Sequence, residues 1–194
     1  MKRHVSPTLL TSPQHLGLLV KAAFPDRDRF IVKVNWSSYS PGAFTDAYTL
    51  DWVLPALEGE TLVVEGHTPG RIRGKPPPGQ ASENIDFYRA EDRAFRAREG
   101  LDSAIERHGA RHVNTSEEIW SGRTVPEEEV RRRVNERFGA LHHPEIYGYL
   151  PSLLDHDRHR TVLVDLTRIK TSSDGTEWSL LLIICLVFCR TFSG

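Results

Sequence analysis

Phe30-Ile31-Val32-Lys33-Val34-Asn35-Trp36 and, further on, Thr61-Leu62-Val63-Val64-Glu65 are two β-branched, apolar runs. The segment between them has helical character: Thr45 stands at an N-cap position, Asp46 in the first turn, and Ala47, Leu50, Val53, Leu54 and Leu57 form one apolar stripe. Gly59 ends that helix, and Pro55 is expected to kink it. Strand, helix and strand in this order make a βαβ unit, whose strands run parallel. The fold class expected is therefore α/β, a mostly parallel sheet with helices on both faces.

Outward from this unit, Pro13 to Ala23 reads as a short helix with Leu16, Leu19, Val20 and Ala23 on one face and Pro25 as its stop. Gly66 to Gln80, with Pro69 and the Pro76-Pro77-Pro78 run, is a long irregular loop. Asn84 to Glu99 is a charged helix offering Ile85, Phe87, Tyr88 and Phe95 for burial, and Leu101 to His108 is a second helix behind Gly100. Arg111 to Asn114 is a candidate short strand, and Pro126 opens a helix with Glu127, Glu128 and Glu129 in its first turn. Thr161 to Leu166 is a buried type of strand, followed by Arg168-Ile169-Lys170 and a turn at Ser172 to Gly175. Residues 1–28 form a lead-in segment, 29–180 the α/β domain and 181–194 a tail.

A chain of 194 residues suits one domain with a real core, and its 39% hydrophobic and 26% charged residues are those of a globular protein. With 25 basic against 26 acidic side chains, no global field draws it to nucleic acid or to an anionic membrane, so neither is an expected partner. The only cysteines, Cys185 and Cys189, offer no disulfide framework, and the start lacks the apolar run of an export signal, which points to a cytoplasmic location. Leu180 to Cys189 is the most apolar stretch, and its ten residues fall short of the roughly 20 that span a bilayer.

Ligands of open α/β sheets collect beyond the carboxyl ends of the strands. After the first strand come Asn35, Trp36, Ser37 and Ser38, with Lys33 in the strand itself. A buried ammonium there needs an anionic partner, unless Lys33 lies on an exposed strand face. After the second strand comes Gly66-His67-Thr68-Pro69-Gly70-Arg71-Ile72-Arg73-Gly74-Lys75. Gly66 and Gly70 would let backbone N–H groups approach a phosphate or carboxylate, with Arg71, Arg73 and Lys75 as counter-charges, although the spacing matches no known nucleotide loop. His67 has the pKa range of a general acid or base. Lys170 follows the late strand and would approach Lys33 if the two strands are neighbours. His142-His143-Pro144-Glu145 and Asp155-His156-Asp157-Arg158-His159 lack a metal-ligand spacing and read as solvated turns, as Arg131 to Arg133 reads as an exposed helix face. No metal is expected.

Ile31 to Trp36, the helix after it, Val63-Val64-Glu65-Gly66-His67 and Leu166-Thr167-Arg168-Ile169-Lys170-Thr171 together resemble the family called domain of unknown function 362, over roughly residues 29–180. The resemblance carries Lys33, Asn35 and Lys170 as site positions and implies an α/β domain sometimes joined to a ferredoxin-like cysteine cluster. This chain has no cluster ligands of its own, so an iron–sulfur cofactor would come from a partner or a missing segment. Members of that family continue after the late lysine with an Asn-Leu-Phe-Gly motif. Leu182 to Gly194 can be encoded so that the shifted frame reads Tyr-Asn-Leu-Phe-Gly, which makes 181–194 an expected out-of-frame tail; the codons themselves decide this. The competing view is a genuine terminal strand. Three functions follow as expectations: a module binding an anionic small molecule at the strand ends, a redox accessory protein working with an iron–sulfur partner, or an inactive truncated product.

Overall fold

The computed structural model describes residues 11–40, 43–138, 150–155 and 160–166. Lys170, both cysteines, the His142 to Glu145 cluster, most of the Asp155 to His159 cluster and the tail lie outside the described residues.

The fold is α/β, built on a four-stranded parallel sheet of order β3-β2-β1-β4. Its strands are β1 (Arg29–Lys33), β2 (Glu60–Glu65), β3 (Arg111–Asn114) and β4 (Thr161–Asp165). Helix α1 (Pro13–Ala23) precedes β1, α2 (Ala47–Val53) links β1 to β2, and α3 (Ile85–Arg98) and α4 (Leu101–Arg107) link β2 to β3. Helices α5 (Thr115–Trp120) and α6 (Glu127–Phe138) follow β3. The chain steps outward from β1 to β2 to β3 and then returns to β1's other side. The first and late strands, whose neighbourhood the sequence left open, are adjacent, with Lys33 beside Asp165 in register.

Alternation along the strands gives each sheet face its own core. Phe30, Val32, Val63, Val162 and Val164 face Leu16 and Val20 of α1, Leu50 and Val53 of α2, Phe95 of α3, and Leu101, Ala104 and Ile105 of α4. Ile31, Leu62, Val64 and Val113 point the other way, against Leu153 and Leu154 of a single 3-10 turn. The larger core also holds Val34 and Trp36, both fully buried just past the end of β1.

Two local expectations are corrected. Asp46, not Thr45, caps α2, its Oδ1 accepting from the Thr49 N–H at 2.8 Å. Thr45 instead clamps the end of β1: its hydroxyl accepts from the Asn35 N–H at 3.0 Å and its carbonyl from Trp36 Nε1 at 2.9 Å. The hydroxyl cannot serve both the strand end and the helix start, and Asp46 is one residue nearer the helix. Pro55 does not kink α2; it lies in the 3-10 turn Leu54–Ala56 that follows, at a first-turn position where its missing N–H costs nothing. Helix α5 was not foreseen, and Asn114 nucleates it by accepting from the N–H groups of Ser116 and Glu117.

Candidate functional site

The expected cradle at Gly66 to Lys75 folds onto the protein itself. Arg71 is 1% exposed; its Nη1 donates to the Trp36 carbonyl at 3.1 Å, its Nη2 to the Gly66 carbonyl at 2.6 Å, and Nη2 also lies 2.6 Å from Asp92 Oδ1. Asp92 is shared with Arg96, which in turn meets Asp102 at 2.6 Å, so an Arg71–Asp92–Arg96–Asp102 chain, buried at its Arg71–Asp92 end, ties the loop to α3 and α4. The backbone N–H groups of Arg73 and Gly74 do cradle a carboxylate, that of Glu91, at 2.7 and 3.3 Å. The Arg73 guanidinium lies over the Tyr39 ring at 4.5 Å. The glycines serve close packing: a Cβ on Gly70 would stand 2.2 Å from the Ser37 carbonyl, and one on Gly66 2.8 Å from Ser116 Oγ. Gly66, Gly70 and Arg71 are thereby committed to structure, because a loop crossing the sheet end must satisfy its own buried backbone groups, while the Arg73 side chain stays exposed.

Lys33 lies on the exposed strand face, as its alternative reading held. Asn35 is occupied within its loop, its Nδ2 donating to the Ala43 carbonyl and its Oδ1 accepting from the Ser37 N–H. Glu65, which no reading of the sequence singled out, lies near Lys33; burial raises its carboxyl pKa above the usual value, opposed by Lys33.

His67 is held from several sides. Its N–H donates to Ser116 Oγ at 3.0 Å, its ring stacks on Trp120 at 5.2 Å, and Nδ1 lies 3.4 Å from Asn114 Nδ2. Nε2 is 3.6 Å from Glu117 Oε1. Burial lowers the imidazole pKa and outweighs the upward pull of Asp92 and Glu117, so the ring is neutral at pH 7 and the Glu117 contact is not an ion pair.

What the sequence did not announce is a trough of about 310 Å³ at the outer edge of β3. Arg111, His112, Val113 and Asn114 all line it, together with Arg89, Asp92, Arg93 and Arg96 of α3, Glu117 and Glu118 of α5, and Leu153. The acids of this wall are neutralised: Asp92 by Arg71 and Arg96, Glu117 by Arg89 at 2.9 Å, Glu118 by Arg123 at 2.8 Å. Two of its cations are not. Arg93 is exposed with no carboxylate partner among the described residues, and Arg111 has only Glu60 at 3.8 Å. His112 stands between them, tilted over Trp36 at 5.3 Å, with Nε2 buried and without a hydrogen-bond partner. Burial, reinforced by Arg96 and Arg71, holds its pKa at about 3, so it is a neutral imidazole at physiological pH.

A signal for this site existed. Arg89, Asp92, Arg93 and Arg96 recur at i, i+3, i+4 and i+7, the spacing at which a helix normally turns an apolar stripe inward. Among the described residues, no group of three His, Cys, Asp or Glu converges as a metal site, and no helix is long and apolar enough to cross a membrane.

The fold and this trough define an α/β domain with a cationic groove on an edge strand. No family model, curated protein or solved structure matches the chain. The resemblance to the domain of unknown function 362 therefore rests only on the residues quoted for it.

Proposed function

We propose that the chain is an anion-binding α/β domain whose site is the trough along β3, with Arg93 and Arg111 as the ligand's counter-charges and the neutral His112 as a hydrogen-bonding group. The observation that carries this reading is the imbalance of the wall: every acid has a cation, while among the described residues Arg93 has no acid and Arg111 only a distant one. A guanidinium left without a carboxylate binds phosphate or carboxylate oxygens in a two-pronged fashion. The volume, about 310 Å³, is at the small end of ligand sites.

The anion-binding role expected for Lys33 and the Gly66 to Lys75 loop moves to the neighbouring edge strand β3, because that loop's strongest cation is spent on Asp92. Calorimetric titration with inorganic phosphate, pyrophosphate and a tricarboxylate tests the reading. Binding by the unaltered chain, weakened about tenfold or more in Arg93→Ala and in Arg111→Ala, is expected. Equal affinity in both variants would overturn it.

A further inference from the structure

Four consecutive residues of β3 line one trough. Consecutive strand residues point to opposite sheet faces, so a space touching all four runs along the backbone edge and not over either face. The register confirms the alternation. His112 pairs with Val63 of the larger core, while Val113 pairs with Val64 of the smaller one. Arg111 therefore lies on the Leu153 side and His112 on the α3 side. The strand edge is the floor of the trough, about 13 Å long for four residues, and the α3 stripe from Arg89 to Arg96 forms a wall about 10 Å long beside it. Among the described residues no strand pairs with this outer edge; β3 ends the sheet.

From this geometry we infer that the trough takes an extended acidic peptide segment of a partner protein, which adds to the sheet as a strand beside β3. The inference rests on the anion-binding reading and names its ligand class. A strand laid along the edge hydrogen-bonds the backbone groups of the alternate β3 residues that point away from β2, which among the described residues have no strand beside them. Its side chains alternate, one toward Arg93 and α3, the next toward Arg111 and Leu153, so two adjacent carboxylates meet the two under-paired cations. A second copy of this chain is the wrong occupant, since pairing β3 with β3 would bring Arg93 and Arg111 of both copies together.

Fluorescence anisotropy with labelled acetyl-Thr-Val-Glu-Glu-Val-Thr-amide tests this, alongside two versions N-methylated on either alternate set of residues. Strand addition predicts that one methylated version loses at least about tenfold in affinity while the other keeps it, because only one set of peptide N–H groups faces β3. Arg93→Glu, a change at an exposed position, is expected to weaken the parent peptide by about tenfold or more, and bound peptide is expected to slow amide exchange at the alternate β3 residues whose N–H groups point away from β2. Equal binding of both methylated versions overturns strand addition. Binding of pyrophosphate without the peptide leaves an anion site but ends this inference, and binding of neither removes the anion reading as well. Concentration-dependent dimerisation that excludes the peptide counts against it too.

Discussion

Among the described residues, replacing Asp92 by alanine removes the only carboxylate in contact with Arg71, and the consequence can be worked from the geometry. The side chains of Arg71 and Asp92 are 2% and 1% exposed. After the change Arg71 keeps two carbonyl acceptors, Trp36 and Gly66, but its charge has no contacting counter-ion in a site closed to water. Arg96 is less affected, because Asp102 stays 2.6 Å away. Breaking a buried pair by deleting one partner costs about 3 to 5 kcal/mol, against a total stability of roughly 5 to 15 kcal/mol for a typical domain. Urea unfolding followed by tryptophan fluorescence reads this directly. With a slope of about 2 kcal/mol/M, the midpoint should fall by about 2 M. The double change Arg71→Met with Asp92→Leu should recover most of that loss, since it leaves no buried charge. A loss under about 1 kcal/mol in Asp92→Ala would refute the reasoning, because it would mean that water or another group reaches Arg71.

Other expectations follow from single residues. His112 has a folded-state pKa of about 3, below the 6.5 of the unfolded chain, so the unfolded state binds its proton first. Stability should fall as pH drops from about 6.5 toward 3, by on the order of 3 kcal/mol at pH 4, and His112→Phe should show a shallower acid limb in the same unfolding assay. In NMR the His112 ring should not titrate above pH 4. Gly59 has φ +152° and faces the Asp28 carbonyl, which a Cβ would approach to 2.1 Å. Gly59→Ala should therefore destabilise by about 2 kcal/mol or more in thermal unfolding, by strain and displacement of the β1–β2 start. Trp36→Phe loses the Nε1 bond to the Thr45 carbonyl and part of a fully buried ring, and should cost about 2 to 4 kcal/mol; a loss below about 1 kcal/mol would show that Trp36 does not anchor the β1–α2 loop.

The sheet was legible because β1, β2 and β4 are apolar runs long enough to need burial on both faces, and Gly59 and Pro25 mark where neighbouring helices must stop. The βαβ unit then set parallel strands through its crossover. The Thr45 and Asp46 roles were not legible: both residues are good caps, and the choice depends on Asn35 and Trp36, which reach Thr45 only after the loop between them has closed. The same holds for the loop after β2. Its glycines and arginines have the composition of an anion cradle, but Asp92 and Glu91, more than fifteen residues further on, claim Arg71 and the Arg73 and Gly74 amides. The trough was hidden in part. The charged stripe of α3 shows that its face meets something polar, but not what; Arg111 joins it because, among the described residues, β3 is an edge strand of the sheet and α3 residues line the same trough.

The most direct test of the trough as the anion site is a two-dimensional amide NMR titration with pyrophosphate. Shifts are expected to concentrate at Arg93, at Arg111 to Asn114 and at Glu117, with Lys33 and the Arg73 to Lys75 stretch unmoved. Shifts confined to Lys33 and the Gly66 to Lys75 loop, with β3 silent, would contradict the assignment.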